Sequence, residues 1–271
     1  MSQMDQSKPI MRLEKVYKAF DSQVVLNGVD LEIQPGRTTV VIGPSGCGKS
    51  VLLKHMVGLL RPDRGKVFFG EHEISAMSER KLAAVRKHMG FLFQGAALFD
   101  SMTVEENVCF PMAEHNVGSP QERVQRARQV LGMVGLDGLQ KRYPEELSGG
   151  QKKRVGLARA IALGPQVIFY DEPTTGLDPI RAGMINELIL RLHASLGTTS
   201  IVVTHDMSSA RKVGDRIIML HGGHFIADTA PDGLDGIDNA IVARFVHGDA
   251  GQQESPSVPS RPGRRHGEPQ P

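Results

Sequence analysis

Short apolar runs alternate along the chain with segments of helical period, and the texture changes twice. Over residues 10–33 apolar and polar positions alternate in twos, most plainly at Val29, Leu31 and Ile33, which is the pattern of half-buried strands. Asn27-Gly28 punctuates this stretch as a turn dipeptide. Residues 38–42 form a short apolar strand, residues 51–60 read as a helix, and residues 66–69 follow Pro62-Asp63-Arg64-Gly65 as a further strand of the same small antiparallel sheet. Another short strand, 90–93, ends at Gln94. From there the period becomes helical. Thr103 caps a helix over 103–112 with Glu105 and Glu106 in its first turn, and Ser119-Pro120 opens a second helix through about residue 134. Residues 135–144 connect to a third, 148–163, with a glycine-rich start.

This helical insert, about residues 96–163, separates the first half of the chain from the second. Strand character returns at 167–170, apolar on both faces as in a buried parallel sheet, and is capped by Asp171-Glu172-Pro173. A helix over 179–196, a strand over 199–204, a short helix and a strand over 216–220 come next, and Gly222-Gly223 turns the chain into a last strand near Phe225. Strand–helix alternation of this kind predicts the α/β class: a parallel sheet with helices on its faces, beside a small antiparallel sheet and a helical insert.

The 40% hydrophobic content of the 271 residues is ample for one large domain or two small ones. A net charge of +2, few aromatic residues and no Trp leave neither an electrostatic footprint for nucleic acid nor a base-stacking surface. Cys47 and Cys109 make no disulfide framework, so a reducing, cytosolic setting is expected. Residues 1–9 lack the apolar core of a signal peptide, and no apolar run approaches the roughly 20 residues that cross a bilayer. At a membrane, another chain would have to hold this one. Residues 249–271 carry prolines 256, 259, 262, 269 and 271 and almost nothing apolar; this tail is predicted to be disordered, leaving 10–248 as the folded domain.

Between strand 38–42 and helix 51–60 lies Gly43-Pro44-Ser45-Gly46-Cys47-Gly48-Lys49-Ser50, a phosphate-binding loop in the strand–loop–helix context that its chemistry requires. Glycines let backbone N–H groups turn inward on phosphate oxygens, the helix N-terminus adds positive potential, Lys49 reaches the β/γ-phosphates and the Ser50 hydroxyl holds Mg²⁺. Other features are ambiguous taken singly. Phe20 suits ordinary packing, Gln94 is a commonplace strand end, and Ser148-Gly149-Gly150 could simply cap a helix.

Together, the loop, Leu147-Ser148-Gly149-Gly150-Gln151, the 167–172 run ending in two carboxylates and His205 past the next strand resemble the ATP-binding cassette (ABC) ATPases, in that family's order and spacing. The resemblance spans about residues 10–248 and implies a P-loop NTPase core that binds ATP and Mg²⁺. By the same resemblance, Ser148, Gly149, Gly150 and Gln151 face the γ-phosphate held by a second cassette, so that two chains sandwich two ATP molecules. Phe20 takes the place of an adenine-stacking aromatic, without the hydroxyl of the usual Tyr. Asp171 holds Mg²⁺ beside Ser50, Glu172 polarises the attacking water, and His205 senses the γ-phosphate. Gln94 ligates Mg²⁺ and hinges the insert, and Asp178 touches the opposite cassette.

A single cassette without a membrane span resembles the separate ATPase subunit of a transporter, a homodimer beneath a permease on the cytoplasmic face of the inner membrane. The permease is expected near residues 94–107, where Ala96, Ala97, Leu98 and Phe99 form an apolar loop that either receives it or packs the insert. This passage, with Gly176-Leu177-Asp178-Pro179-Ile180, looks like the Mla/MCE-type phospholipid transport ATPases, which implies an MCE-domain protein as a further partner. An importer ATPase for a polar solute and a soluble assembly ATPase remain as alternatives. Arg64 and the run Lys152-Lys153-Arg154 are expected to face solvent or phosphates.

Overall fold

The chain builds two sheets in the computed structural model, which describes residues 8–248. β1 (Met11–Phe20) and β2 (Gln23–Ile33) form an antiparallel hairpin, and β3 (Thr38–Ile42) then crosses into the second sheet. After α1 (Lys49–Met56), β4 (Arg64–Phe69) and β5 (His72–Glu73) return to complete the first sheet, in the order β2-β1-β4-β5. α2 (Glu79–Arg86) leads to β6 (Met89–Leu92), the edge of the second sheet. The insert is built from α3 (Val104–Glu114), α4 (Pro120–Met133) and α5 (Gly149–Ile161). The remainder is β7 (Val167–Asp171), α6 (Pro179–Leu196), β8 (Thr199–Val203), α7 (Met207–Val213), β9 (Arg216–His221), β10 (His224–Thr229) and α8 (Ala240–His247). The six-stranded sheet runs β10-β9-β3-β8-β7-β6, parallel except for β10.

Every residue of β3, β7 and β8 is buried, because helices or the other sheet cover both faces. Alternation along β7 divides the core in two. Val167 and Phe169 pack with α1 and the antiparallel sheet, through Leu52, Leu53 and Leu13. Ile168 and Tyr170 pack with the insert and the later helices, through Val108, Leu157 and Leu188. Among the described residues no helix is long and apolar enough to cross a membrane.

The predicted caps form: Thr103 with Glu106 and Ser119 with Glu122 each make a reciprocal capping box. Asn27-Gly28 does not turn the chain. The hairpin turns at Asp21-Ser22, with Phe20 opposite Gln23, and Asn27-Gly28 lies inside β2. Gly28 has φ 69°, and a Cβ there would stand 2.7 Å from the Tyr17 hydroxyl oxygen. The dipeptide's tolerance of positive φ serves a bend within the strand, which brings the Asn27 N–H to the Gly223 carbonyl at 3.0 Å. The helix expected over 51–60 also shifts, starting at Lys49 and ending at Met56. The expected disordered tail, 249–271, lies outside the described residues.

Asn107, fully buried on α3, holds the loop before its helix. Its Oδ1 accepts from Phe99 N–H at 2.8 Å, and its Nδ2 donates to the carbonyls of Phe99, Met102 and Thr103 at 3.0–3.1 Å. Asn107→Ala would strand these groups away from water. We expect it to lower stability by roughly 2–3 kcal/mol, measured as a shift of the urea midpoint with unchanged slope.

Candidate active site

The carboxyl ends of β3, β8 and β7 lie side by side, and each leads into a segment that carries candidate chemistry. From β3 comes the glycine-rich loop. Gly43 has φ 150°, and any Cβ on it would collide with the Leu220 carbonyl; Gly48 has φ 107° and closes on Val25. Gly48 is also the residue before α1, and no side chain caps that helix. The first-turn N–H groups and the positive end of the helix dipole are therefore left for an anion. Lys49 Nζ, nearly buried, donates to the carbonyls of Gly43 at 2.8 Å and Pro44 at 2.9 Å. Ser45 and Gly46 form the exposed tip, and Cys47 lies half-buried beneath it.

Asp171 and Glu172, at the end of β7, are 9% and 8% exposed, so neither carboxylate is a solvated strand end. Ser50 Oγ donates to Asp171 Oδ1 at 2.9 Å, which joins the loop to β7 across β8. Burial pushes the Asp171 pKa up; the Ser50 bond opposes the shift and the Glu172 charge adds to it. Among the described residues no three His, Cys, Asp or Glu gather as a metal cage. One hydroxyl and one carboxylate fit a hard cation whose remaining ligands are phosphate and water, which is the habit of Mg²⁺.

Four side chains surround the Glu172 carboxylate. His205 Nδ1, beyond β8, lies 3.0 Å from Oε1 and 2.9 Å from Oε2; Thr175 Oγ1 donates to Oε2 at 2.9 Å, Thr204 Oγ1 donates at 3.4 Å, and Lys49 Nζ is 3.9 Å from Oε1. The Glu172 backbone has φ 50°, and its N–H donates to the Val203 carbonyl at 2.9 Å. The structure thus brings Lys49, Ser50, Asp171, Glu172 and His205 together.

Other sequence-predicted residues stand apart from this cluster. Phe20 is exposed at the end of β1 with Lys18 Nζ 5.3 Å above its ring. Gln94 is exposed just past β6 and takes no part in the hydrogen bonds that join the cluster. Ser148 caps α5 in a reciprocal box with Gln151, which leaves Gly149 and Gly150 in the first turn. Asp178 caps α6 through Arg181 N–H and pairs with the Arg181 side chain at 3.2 Å.

In the basic run 152–154, Lys152 and Arg154 keep partial exposure, but Lys153 does not face solvent as expected. Lys153 is 6% exposed, and its Nζ donates to the Glu172 carbonyl at 2.9 Å. Burial pushes its pKa down, against the pull of the Glu172 and Asp171 carboxylates. The signal was present in the period of α5, where Gly150, Lys153, Leu157 and Ile161 share the buried face. Thr204, and the buried network of Asn186 and Ser209 with Asp206, left no comparable trace.

Loop, sheet order and carboxylate pair define a P-loop NTPase. The sequence pattern of the family described as ABC transporter matches residues 26–175, and the chain belongs to that family. The chain is 40% identical over 231 residues to the probable ribonucleotide transport ATP-binding protein mkl of Mycobacterium leprae, covering 85% of itself and 67% of that protein. It covers 64% of the Mycobacterium tuberculosis counterpart, a little under two thirds of that relative's length. Identity is also 40% over 232 residues to the intermembrane phospholipid transport system ATP-binding protein MlaF of Haemophilus influenzae, covering 84% of this chain and 86% of that one. A dimeric ATP-binding cassette, solved in a post-hydrolysis state bound to ADP and Pi, superposes with a TM-score of 0.75 at 34% identity, over 82% of this chain and 98% of that one.

Cys47 reports on the loop. Burial raises its pKa and nearby Lys49 only partly offsets this, so the reactive thiolate stays scarce at neutral pH and grows as pH rises past the ordinary thiol range. In a Cys109→Ser background, mass spectrometry should find slow alkylation at neutral pH, acceleration only once the pH has passed the ordinary thiol range, and protection by ATP.

Proposed function

We propose that this chain hydrolyses ATP as one half of a head-to-tail homodimer and drives phospholipid transport through a separate permease, on the cytoplasmic face of the inner membrane. The observation that carries the chemistry is the buried Glu172 carboxylate, held by His205 and Thr175 at the end of β7, two strands along from the one that leads into the phosphate loop. Glu172 polarises the attacking water, and His205 fixes the carboxylate and meets the γ-phosphate. Lys49 turns from the loop carbonyls to the β/γ-phosphates, and Gly43 to Gly48 cradle them. Ser50 and Asp171, joined by Gln94 from the hinge of the insert, would hold Mg²⁺, which supplies neutralising charge to the phosphates. Phe20 stacks on adenine. Ser148 to Gln151 and Asp178 act on the nucleotide of the opposite chain. The work is positioning and electrostatics, with little covalent chemistry for the protein.

The permease side is supported by an apolar groove of about 300 Å³ between β6 and the insert, lined by Phe91, Phe93, Ala97, Phe99, Phe110 and Pro111. It differs from the expected apolar loop. Ala96 is buried against α5 and Leu98 packs on the core, so Ala97 and Phe99 remain at the rim. Phe99 leans on Phe110, with ring centroids 4.6 Å apart. An exposed apolar recess of this kind suits a short helix from a membrane partner. The phospholipid assignment, with an MCE-domain protein as further partner, draws on the likeness to MlaF; a polar-solute importer is the second reading, favoured by the ribonucleotide-transport name of the mycobacterial relatives.

Glu172→Gln should keep ATP binding, lower turnover by roughly 100-fold or more, and accumulate an ATP-bound dimer in size-exclusion chromatography. Wild-type turnover would remove Glu172 from the role of base. Gentle solubilisation and purification of the tagged chain should recover a multi-span permease, an MCE-domain protein and bound phospholipid, and Phe99→Asp should lose the permease while keeping ATPase activity. Recovery of a permease with a solute-binding protein and no lipid would instead support the second reading.

A further inference from the structure

Glu172 is held in an unusual backbone conformation from two sides. Its φ of 50° lies in the left-handed region, where a non-glycine residue is strained and persists only when its surroundings hold it. One hold is the bond from its N–H to Val203 at the end of β8. The other is at its carbonyl, which accepts from Lys153 Nζ at 2.9 Å and, less closely, from Thr175 N–H at 3.3 Å. Lys153 reaches this carbonyl from α5, one turn after Gly149-Gly150. A lysine amine is an expensive group to bury for packing alone, since burial penalises its charge, and the face of α5 around it is otherwise apolar or glycine.

We infer that Lys153 is a positioning residue for hydrolysis: its bond to the Glu172 carbonyl fixes the bend that aims the Glu172 carboxylate and ties that aim to the orientation of α5. The helix that offers Gly149-Gly150 to one nucleotide thereby sets the geometry of the carboxylate acting on the other. This rests on the reading of Glu172 as the base.

The test uses the full chain in steady-state ATP hydrolysis, equilibrium ATP binding and thermal unfolding, for Lys153→Met, Glu172→Gln and the double variant. Lys153→Met should lower kcat about 10-fold or more with the Kd for ATP changed less than about 2-fold, as expected for a contact that matters in the transition state. In the Glu172→Gln background the same change should leave the residual rate as it was, because a residue acting only through Glu172 has nothing left to act on. A general loss of packing would depress both backgrounds alike, and that result overturns the inference. So does wild-type kcat in Lys153→Met when Glu172→Gln is inactive. Wild-type turnover in Glu172→Gln overturns the base assignment, and the inference with it. If Lys153→Met does not fold, Lys153→Leu, which likewise offers no donor to the carbonyl, replaces it with the same expectation of lowered kcat at unchanged affinity.

Discussion

The constraint on which the rest depends is the removal of one carboxylate from water. Glu172 is almost buried, and a buried carboxyl group needs hydrogen-bond partners in place of the water it has lost. Its partners come from four separate segments: α1 supplies Lys49, the turn after β7 supplies Thr175, the end of β8 supplies Thr204 and His205, and α5 supplies Lys153 at the carbonyl. No single segment could enclose it. The adjacency of β3, β8 and β7 is therefore the condition of the site as well as the skeleton of the fold.

A parallel sheet meets that condition because all its strands end on one edge, and it survives only with both faces covered. Here the antiparallel sheet and α1 cover one face, and the insert and later helices cover the other. α5 belongs to both the site and the groove. Its first turn carries Gly149 and Gly150, its second brings Lys153 to Glu172, and near its end Arg159 donates to the carbonyls of Ala96 and Ala97 beside the groove. A helix of 13 residues spans about 20 Å, so one element joins the rim of the groove to the segment that holds Glu172.

Much of this was legible from local rules. Helix caps at Thr103, Ser119 and Ser148 follow from short-range hydrogen bonding, and the loop 43–50 announces itself because only that spacing of glycines, Lys and Ser cradles a phosphate. Asp171 and Glu172 stand out as two acids closing a wholly apolar strand. The misreadings share one cause. Asn27-Gly28 carries the turn signal but spends its positive φ on a bend that docks β2 onto the β9–β10 turn, a contact some 200 residues distant in sequence. Lys153 looks like a surface position until α5 is laid against the end of β7.

By itself, then, the sequence determined most of the strands and helices, though not β5, α2 or α8, together with their caps, the phosphate loop and the order of the charged residues, since each depends on neighbours within a few positions. Only the tertiary structure decided the insertion of β8 between β3 and β7, the burial of Lys153, the enclosure of the Glu172 carboxylate and the shape of the apolar groove. Those depend on which segments exclude water from one another, and exclusion is a property of surfaces that meet only once the whole chain has packed.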